Sequence, residues 1–94
     1  MSTFIQRFAQ AGSFESGDVL VHVAPSPENL TIHIKSKVGP RFSASMQASV
    51  RAVAAELGVT AAAVEVVDSG ALDFVLRARV TTAMRRAMEA ITNE

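Results

Sequence analysis

A chain of 94 residues is sized for one domain and one core, burying roughly 65% of its unfolded surface, and leaves little room for a deep cleft between domains. Apolar residues make up 49% of it and all five aromatics are phenylalanine, a composition that folds. Nine basic and nine acidic residues cancel, so no general attraction draws the chain to nucleic acid, and the absence of cysteine excludes disulfides, a thiol nucleophile and zinc–thiolate sites. No apolar run approaches the length that spans a bilayer, and the N-terminus lacks a basic stretch followed by a long apolar one. The expected location is the cytoplasm.

Taken in order, residues 1–11 place Phe4, Ile5 and Phe8 at the spacing of one face of a short helix, with a loosely held extension as the alternative. A turn follows, Gly12-Ser13-Phe14-Glu15-Ser16-Gly17-Asp18, and leads into a strand over 19–24 in which Val19, Val21 and Val23 alternate with Leu20, His22 and Ala24. A second strand, 30–37, alternates Leu30, Ile32 and Ile34 with Thr31, His33 and Lys35. The connector Pro25-Ser26-Pro27-Glu28-Asn29 has the length of a hairpin loop. Pairing Val21 with Ile34 and Val23 with Ile32 gathers both apolar sets on one face and sets His22 opposite His33 on the other.

Gly39-Pro40 ends that hairpin. A helix starting near 41–43 carries Phe42, Met46, Val50, Val53 and Leu57 in one stripe and stops at Gly58. Residues 63–68 form a third strand with Val64 and Val66 on one side and Glu65 and Val67 on the other. Its position in the sheet is open, although running parallel to the second strand requires a right-handed crossover. Asp68-Ser69-Gly70 is a turn offering capping oxygens to a last helix, from about 71 or 72 to about 90. The stripe of that helix is Leu72, Val75, Leu76, Val80, Ala83, Met84, Ala87 and Ile91. Strand, strand, helix, strand, helix makes an α+β two-layer sandwich, one domain over 1–94, with both helices on one face of a short sheet.

Read by spacing alone, Ser16 is an ordinary turn serine, with neither a histidine nor a lysine beside it in sequence to activate it. The wording of the turn adds to that reading. Ala11-Gly12-Ser13-Phe14-Glu15-Ser16-Gly17-Asp18-Val19, followed by a valine-rich strand and Ala24-Pro25, resembles the start of the acyl carrier protein (gamma subunit) family of citrate lyase. A second block, Asp68-Ser69-Gly70-Ala71-Leu72-Asp73 running into Arg77-Ala78-Arg79, is similar to that family's Asp-x-Gly-Ala-Leu-Asp and Arg-Ala-Arg helix. The likeness extends from about residue 11 to about residue 87, and the Phe4 to Phe8 segment lies outside it.

The resemblance implies that Ser16, between Glu15 and Gly17, bears 2'-(5''-phosphoribosyl)-3'-dephospho-CoA through a phosphodiester, installed by a separate prosthetic-group transferase. Ser13 then occupies a variable small hydroxyl position. The thiol of that group would supply what a cysteine-free chain lacks. By the same resemblance the partners are an alpha subunit, which exchanges acetyl for citryl on the carrier, and a beta subunit, which splits the citryl thioester to oxaloacetate and acetyl-carrier. The chain itself is then no enzyme. Carriers of citramalate lyase and malonate decarboxylase are the neighbouring readings, with substrate choice lying in the partners. An unmodified interaction module is the reading from another class.

Two other groups carry less. Asp73 and Arg77 are spaced for an exposed ion pair, with Arg79 a solvated arginine, or Arg77 and the helix start lie beside Ser16 and favour its phosphate. His22 and His33 offer two imidazoles and no third ligand, which reads as a solvent-facing pair. Met46, Met84 and Met88 belong to the core or to a subunit contact. No phosphate loop or dinucleotide fingerprint is present.

Overall fold

A computed structural model describes residues 4–37 and 39–88. In chain order the elements are β1 (Ala9–Gly12), β2 (Val19–Ala24), β3 (Leu30–Ser36), α1 (Pro40–Leu57), β4 (Ala62–Asp68) and α2 (Asp73–Met88). The four strands make one sheet in the order β1-β2-β4-β3. The β1–β2 and β2–β4 pairs are antiparallel, and β3–β4 is parallel, bridged by α1. The α+β sandwich expected from the sequence is the observed fold, with one further strand at its N-terminal edge.

The expected hairpin between β2 and β3 does not form, because β4 lies between them. Val21 and Ile34 both pair with Val66, and Val23 and Ile32 both pair with Val64. The apolar rows foreseen on one face therefore survive with a valine inserted in each. The same insertion puts Glu65 between His22 and His33, which do not face one another. The connector explains why this is possible. Skipping one strand means crossing two inter-strand spacings, roughly 9–10 Å, which five residues reach and a tight two-residue turn does not.

The central place of β4 agrees with its burial. Ala62, Val64, Val66 and Asp68 are buried, and Ala63, Glu65 and Val67 on the opposite face are half-buried. Val19, Val21 and Val23 join them from β2, and Ala11 from β1. Val50, Val53 and Ala54 of α1 and Leu76, Val80, Ala83, Met84 and Ala87 of α2 close the core. Met46 and Met88 pack against it from partly buried positions.

Both helical stripes begin later than the sequence suggests. Phe42 is 58% exposed. Phe42 lies in the first turn of α1, and the packing of that helix on the core starts at Met46. Leu72 is exposed because it precedes α2. Its carbonyl accepts the Val75 and Leu76 N–H groups, a cap position rather than a place on the stripe. Ile91 lies outside the described residues. The stop of α1 is as expected, with Gly58 in the left-handed region and the Val59 N–H donating to the Ala54 carbonyl at 2.8 Å.

The N-terminal segment forms no helix over residues 4–8, and it is tied down rather than loose. Ile5 is buried, and the Gln6 and Arg7 N–H groups donate to the Ala87 carbonyl at 2.8 and 3.2 Å. Arg7 Nε donates to the Arg86 carbonyl at 2.8 Å. The carbonyls at the end of α2, left over by the helix ladder, find their donors here. Phe4 and Phe8 stay exposed, so of the three apolar residues only Ile5 makes a core contact and they form no helical face.

Candidate functional site: the β1–β2 loop around Ser16

Because Ala9–Gly12 is a strand, the turn at Ser16 is the tip of an antiparallel hairpin spanning residues 13–18. Gly12 makes the exit from β1 possible. Its φ is +101°, and a Cβ there would stand 1.7 Å from the Val19 carbonyl oxygen, so no side chain fits. At the tip, the Asp18 N–H donates to the Glu15 carbonyl at 3.0 Å, leaving Ser16 and Gly17 in the two central positions. Gly17 has φ +83° and no other residue type in the described chain has positive φ, the pattern of a type II turn. Ser16 is exposed, and among the described residues its hydroxyl makes no hydrogen bond.

The backbone beneath that free hydroxyl is held from several directions. The Gly17 N–H donates to the Ser69 carbonyl at 2.7 Å, and the Ser69 N–H donates to the Asp18 carbonyl at 3.0 Å. Ser69 Oγ donates to the Phe14 carbonyl at 3.2 Å. Ser13 is occupied structurally: its hydroxyl donates to Asp18 Oδ2 at 2.7 Å and accepts the Glu15 N–H at 3.2 Å. Arg79 reaches across from α2 and donates from both Nε and Nη2 to the Asp18 carboxylate, at 3.1 and 2.9 Å. That fork, then the Ser13 hydroxyl and the Val19 N–H, hold the Asp18 carboxyl well below the usual carboxylate range. Arg79 is therefore no solvated arginine.

The two sequence blocks meet here. Asp68, at the end of β4, accepts the Ala71 N–H on Oδ1 and the Ser36 hydroxyl on Oδ2, both at 2.9 Å. Gly70, at φ +92°, passes close to the Gly17 backbone, where an added Cβ would make only ordinary contact. Asp73 accepts the buried Ser49 hydroxyl and, at 2.7 Å, Arg77 Nε; these bonds, in that order, lower its pKa. The expected Asp73–Arg77 pair is thus present.

Beside Ser16 is an open depression of about 410 Å³ lined by Phe14, Ser16, Lys37, Asp68, Ser69 and Gly70. Its cation is Lys37, not Arg77. The sequence gives no sign of Lys37, which reaches this place only because β3 runs parallel to β4 and ends level with Asp68. A larger depression, about 560 Å³, lies on the helix-free face of the sheet and includes His22, His33 and Glu65. Both histidines are exposed, as expected, and no set of three metal ligands among the described residues is arranged to hold an ion. Size favours the second depression, but the unengaged hydroxyl and the pinned loop are at the first. No helix among the described residues is long and apolar enough to cross a membrane.

Comparison with known proteins gives the same region a family. A profile described as "ACP: Malonate decarboxylase delta subunit (MdcD)" matches residues 6–87. The chain is 49% identical over 89 residues to the citrate lyase acyl carrier protein of Haemophilus influenzae (strain PittEE), covering 95% of this chain and 93% of that one. The chain belongs to the citrate lyase acyl carrier protein family. Its counterpart from Lactococcus lactis subsp. lactis (strain IL1403) is 40% identical over 86 residues, covering 92% and 90% of the two chains. A chain of the crystal structure of a Pseudomonas malonate decarboxylase hetero-tetramer in complex with malonate superposes with a TM-score of 0.77 at 22% identity, covering 92% of this chain and 89% of that one. That likeness speaks for the shared fold.

Proposed function

We propose that this chain is the acyl carrier subunit of citrate lyase and that Ser16 is its point of attachment for a covalent prosthetic group. The observation that carries the reading is a hydroxyl exposed and unbonded at the tip of a hairpin whose backbone is fixed from β4 and α2. A catalytic serine would need a base beside it, whereas a carrier serine needs access, room and a stable platform. Ser13, earlier in the same turn, is hydrogen-bonded to Asp18 and Glu15 and is committed to the loop.

The family points to 2'-(5''-phosphoribosyl)-3'-dephospho-CoA as the group, and the site fits one joined through a phosphodiester: Ser16 projects from the loop beside an open depression with a cation in its wall. When attached, the group supplies the thiol that the chain lacks, on which an acyl unit rides as a thioester. The chain's own residues hold the tether point still; tethering keeps the acyl unit at an effective concentration on the order of millimolar at its partners. Those partners are a transferase (alpha) subunit, a lyase (beta) subunit and the enzyme that modifies Ser16, all in the cytoplasm, and the carrier catalyses neither reaction. The named relatives at 40–49% identity favour citrate lyase over malonate decarboxylase.

Intact mass and peptide mapping on protein made together with its native modifying enzymes test the proposal. A large added mass on the peptide containing Ser16, lost in Ser16→Ala together with activity of the complex, is the expected result. An unmodified chain recovered from an active native complex would overturn it and leave an interaction module.

A further inference from the structure

Of the basic side chains near the end of the sheet that carries Ser16, three are engaged. Arg79 is forked onto Asp18, Arg77 is paired with Asp73, and Lys35 lies 3.8 Å from Glu65. Lys37 is exposed, makes no ion pair among the described residues, and lines the same depression as Ser16. The other charge in that wall is the Asp68 carboxylate, whose oxygens accept from Ala71 and Ser36. Glu15 adds an exposed carboxylate next to Ser16 in the chain.

A phosphodiester on Ser16 brings one more negative charge into these surroundings at any ordinary pH. Left uncompensated it would be repelled by Asp68 and Glu15 and would hold the attached group away from the protein. One flexible ammonium in the wall changes that balance, because a lysine side chain can swing its charge onto the anion at little structural cost. Phe14, 68% exposed on the same wall, offers the following part of the group an apolar surface.

We propose that the depression is the binding site for the first phosphate of the group carried by Ser16, with Lys37 as the positioning residue that pairs with it. The inference rests on Ser16 being the modified serine. Lys37 sets where the tether leaves the protein surface and takes no part in acyl chemistry.

The test uses modified protein, prepared with its native modifying enzymes, as wild type, Lys37→Met and Lys37→Arg. Phosphorus NMR follows the phosphodiester that couples to the Ser16 Hβ protons and compares it with the same linkage in the proteolytic peptide. In wild type the resonance is expected to be displaced from its peptide position, and the displacement should shrink as salt is raised. Lys37→Met should return it to the peptide position and Lys37→Arg should restore it, with the amide spectrum of the core unchanged in both. A wild-type resonance already at the peptide position, or a displacement that survives Lys37→Met, overturns the role of Lys37 while leaving Ser16 modified. Mass spectrometry separates that result from the other failure: a wild-type chain without the group overturns the reading of Ser16 and this inference with it.

Discussion

Arg79 donates two hydrogen bonds to the carboxylate of Asp18, a residue 61 positions earlier in the chain and two beyond Ser16. One side chain of α2 thereby fixes the hairpin tip that presents the serine. Since the fork, the Ser13 hydroxyl and the Val19 N–H all favour the ionised carboxylate, Asp18 titrates below the ordinary range. Its contribution to holding the loop is complete above the unfolded carboxylate pKa of roughly 4 and is lost only as pH falls through the lower folded value. A carbon-13 titration should therefore show Asp18 still ionised below the ordinary carboxylate range. Arg79→Met should move the Asp18 midpoint up toward the ordinary value and speed hydrogen exchange at the Gly17 amide. A midpoint left unmoved would refute the fork.

Ser16 and Ser13 should separate cleanly. Ser16→Ala should change stability by no more than about 0.5 kcal/mol, because it deletes an exposed, unbonded hydroxyl, and should abolish the added mass. Ser13→Ala should keep the added mass on Ser16 while loosening the loop, seen as faster exchange at the Glu15 amide. Modification of the Ser16→Ala chain would show that the attachment point lies elsewhere.

Gly12→Ala should be costly through backbone packing alone. The left-handed φ and the 1.7 Å approach to the Val19 carbonyl combine backbone strain with a collision that only a shift of β2 relieves. A loss of about 2–4 kcal/mol is expected, a fall in Tm on the order of 10 °C or more. Thermal unfolding measures it, and a Tm within 2 or 3 °C of wild type, roughly the shift of half a kcal/mol, would contradict the close approach.

Ser49 and Asp73 join α1 to α2. Asp73→Ala leaves the buried Ser49 hydroxyl without its acceptor, at a cost of about 1–3 kcal/mol, while adding Ser49→Ala removes the stranded group and should recover part of that loss. Urea unfolding of the two single variants and the double variant reads the coupling. Strictly additive losses would mean that the bond contributes nothing.

The period-two rows of aliphatic residues made the faces of β2, β3 and β4 legible, and the glycine stop of α1 was equally plain. The order of the strands was not, because inserting β4 between β2 and β3 leaves every inside and outside position unchanged. β1 was hidden for a related reason: four residues, Ala-Gln-Ala-Gly, carry too little apolar contrast to announce a strand. At the candidate site, the turn around Ser16 stood out through its wording, and the Asp73–Arg77 pair was legible through its spacing. Lys37 and the Asp18–Arg79 fork were not. Each depends on which strand ends lie side by side, and local sequence does not encode that.

The central position of β4 also fixes a timetable. The strand that joins the β1–β2 hairpin to β3 begins only at residue 62, and Ser69 and Arg79, which steady the serine loop, come later still in the chain. If Ser16 is the acceptor, as proposed, it is made early and becomes presentable late. On the proposed reading, a modifying enzyme that recognises the fixed loop would take it as a certificate of completed folding, and unfinished or truncated chains would not consume the group.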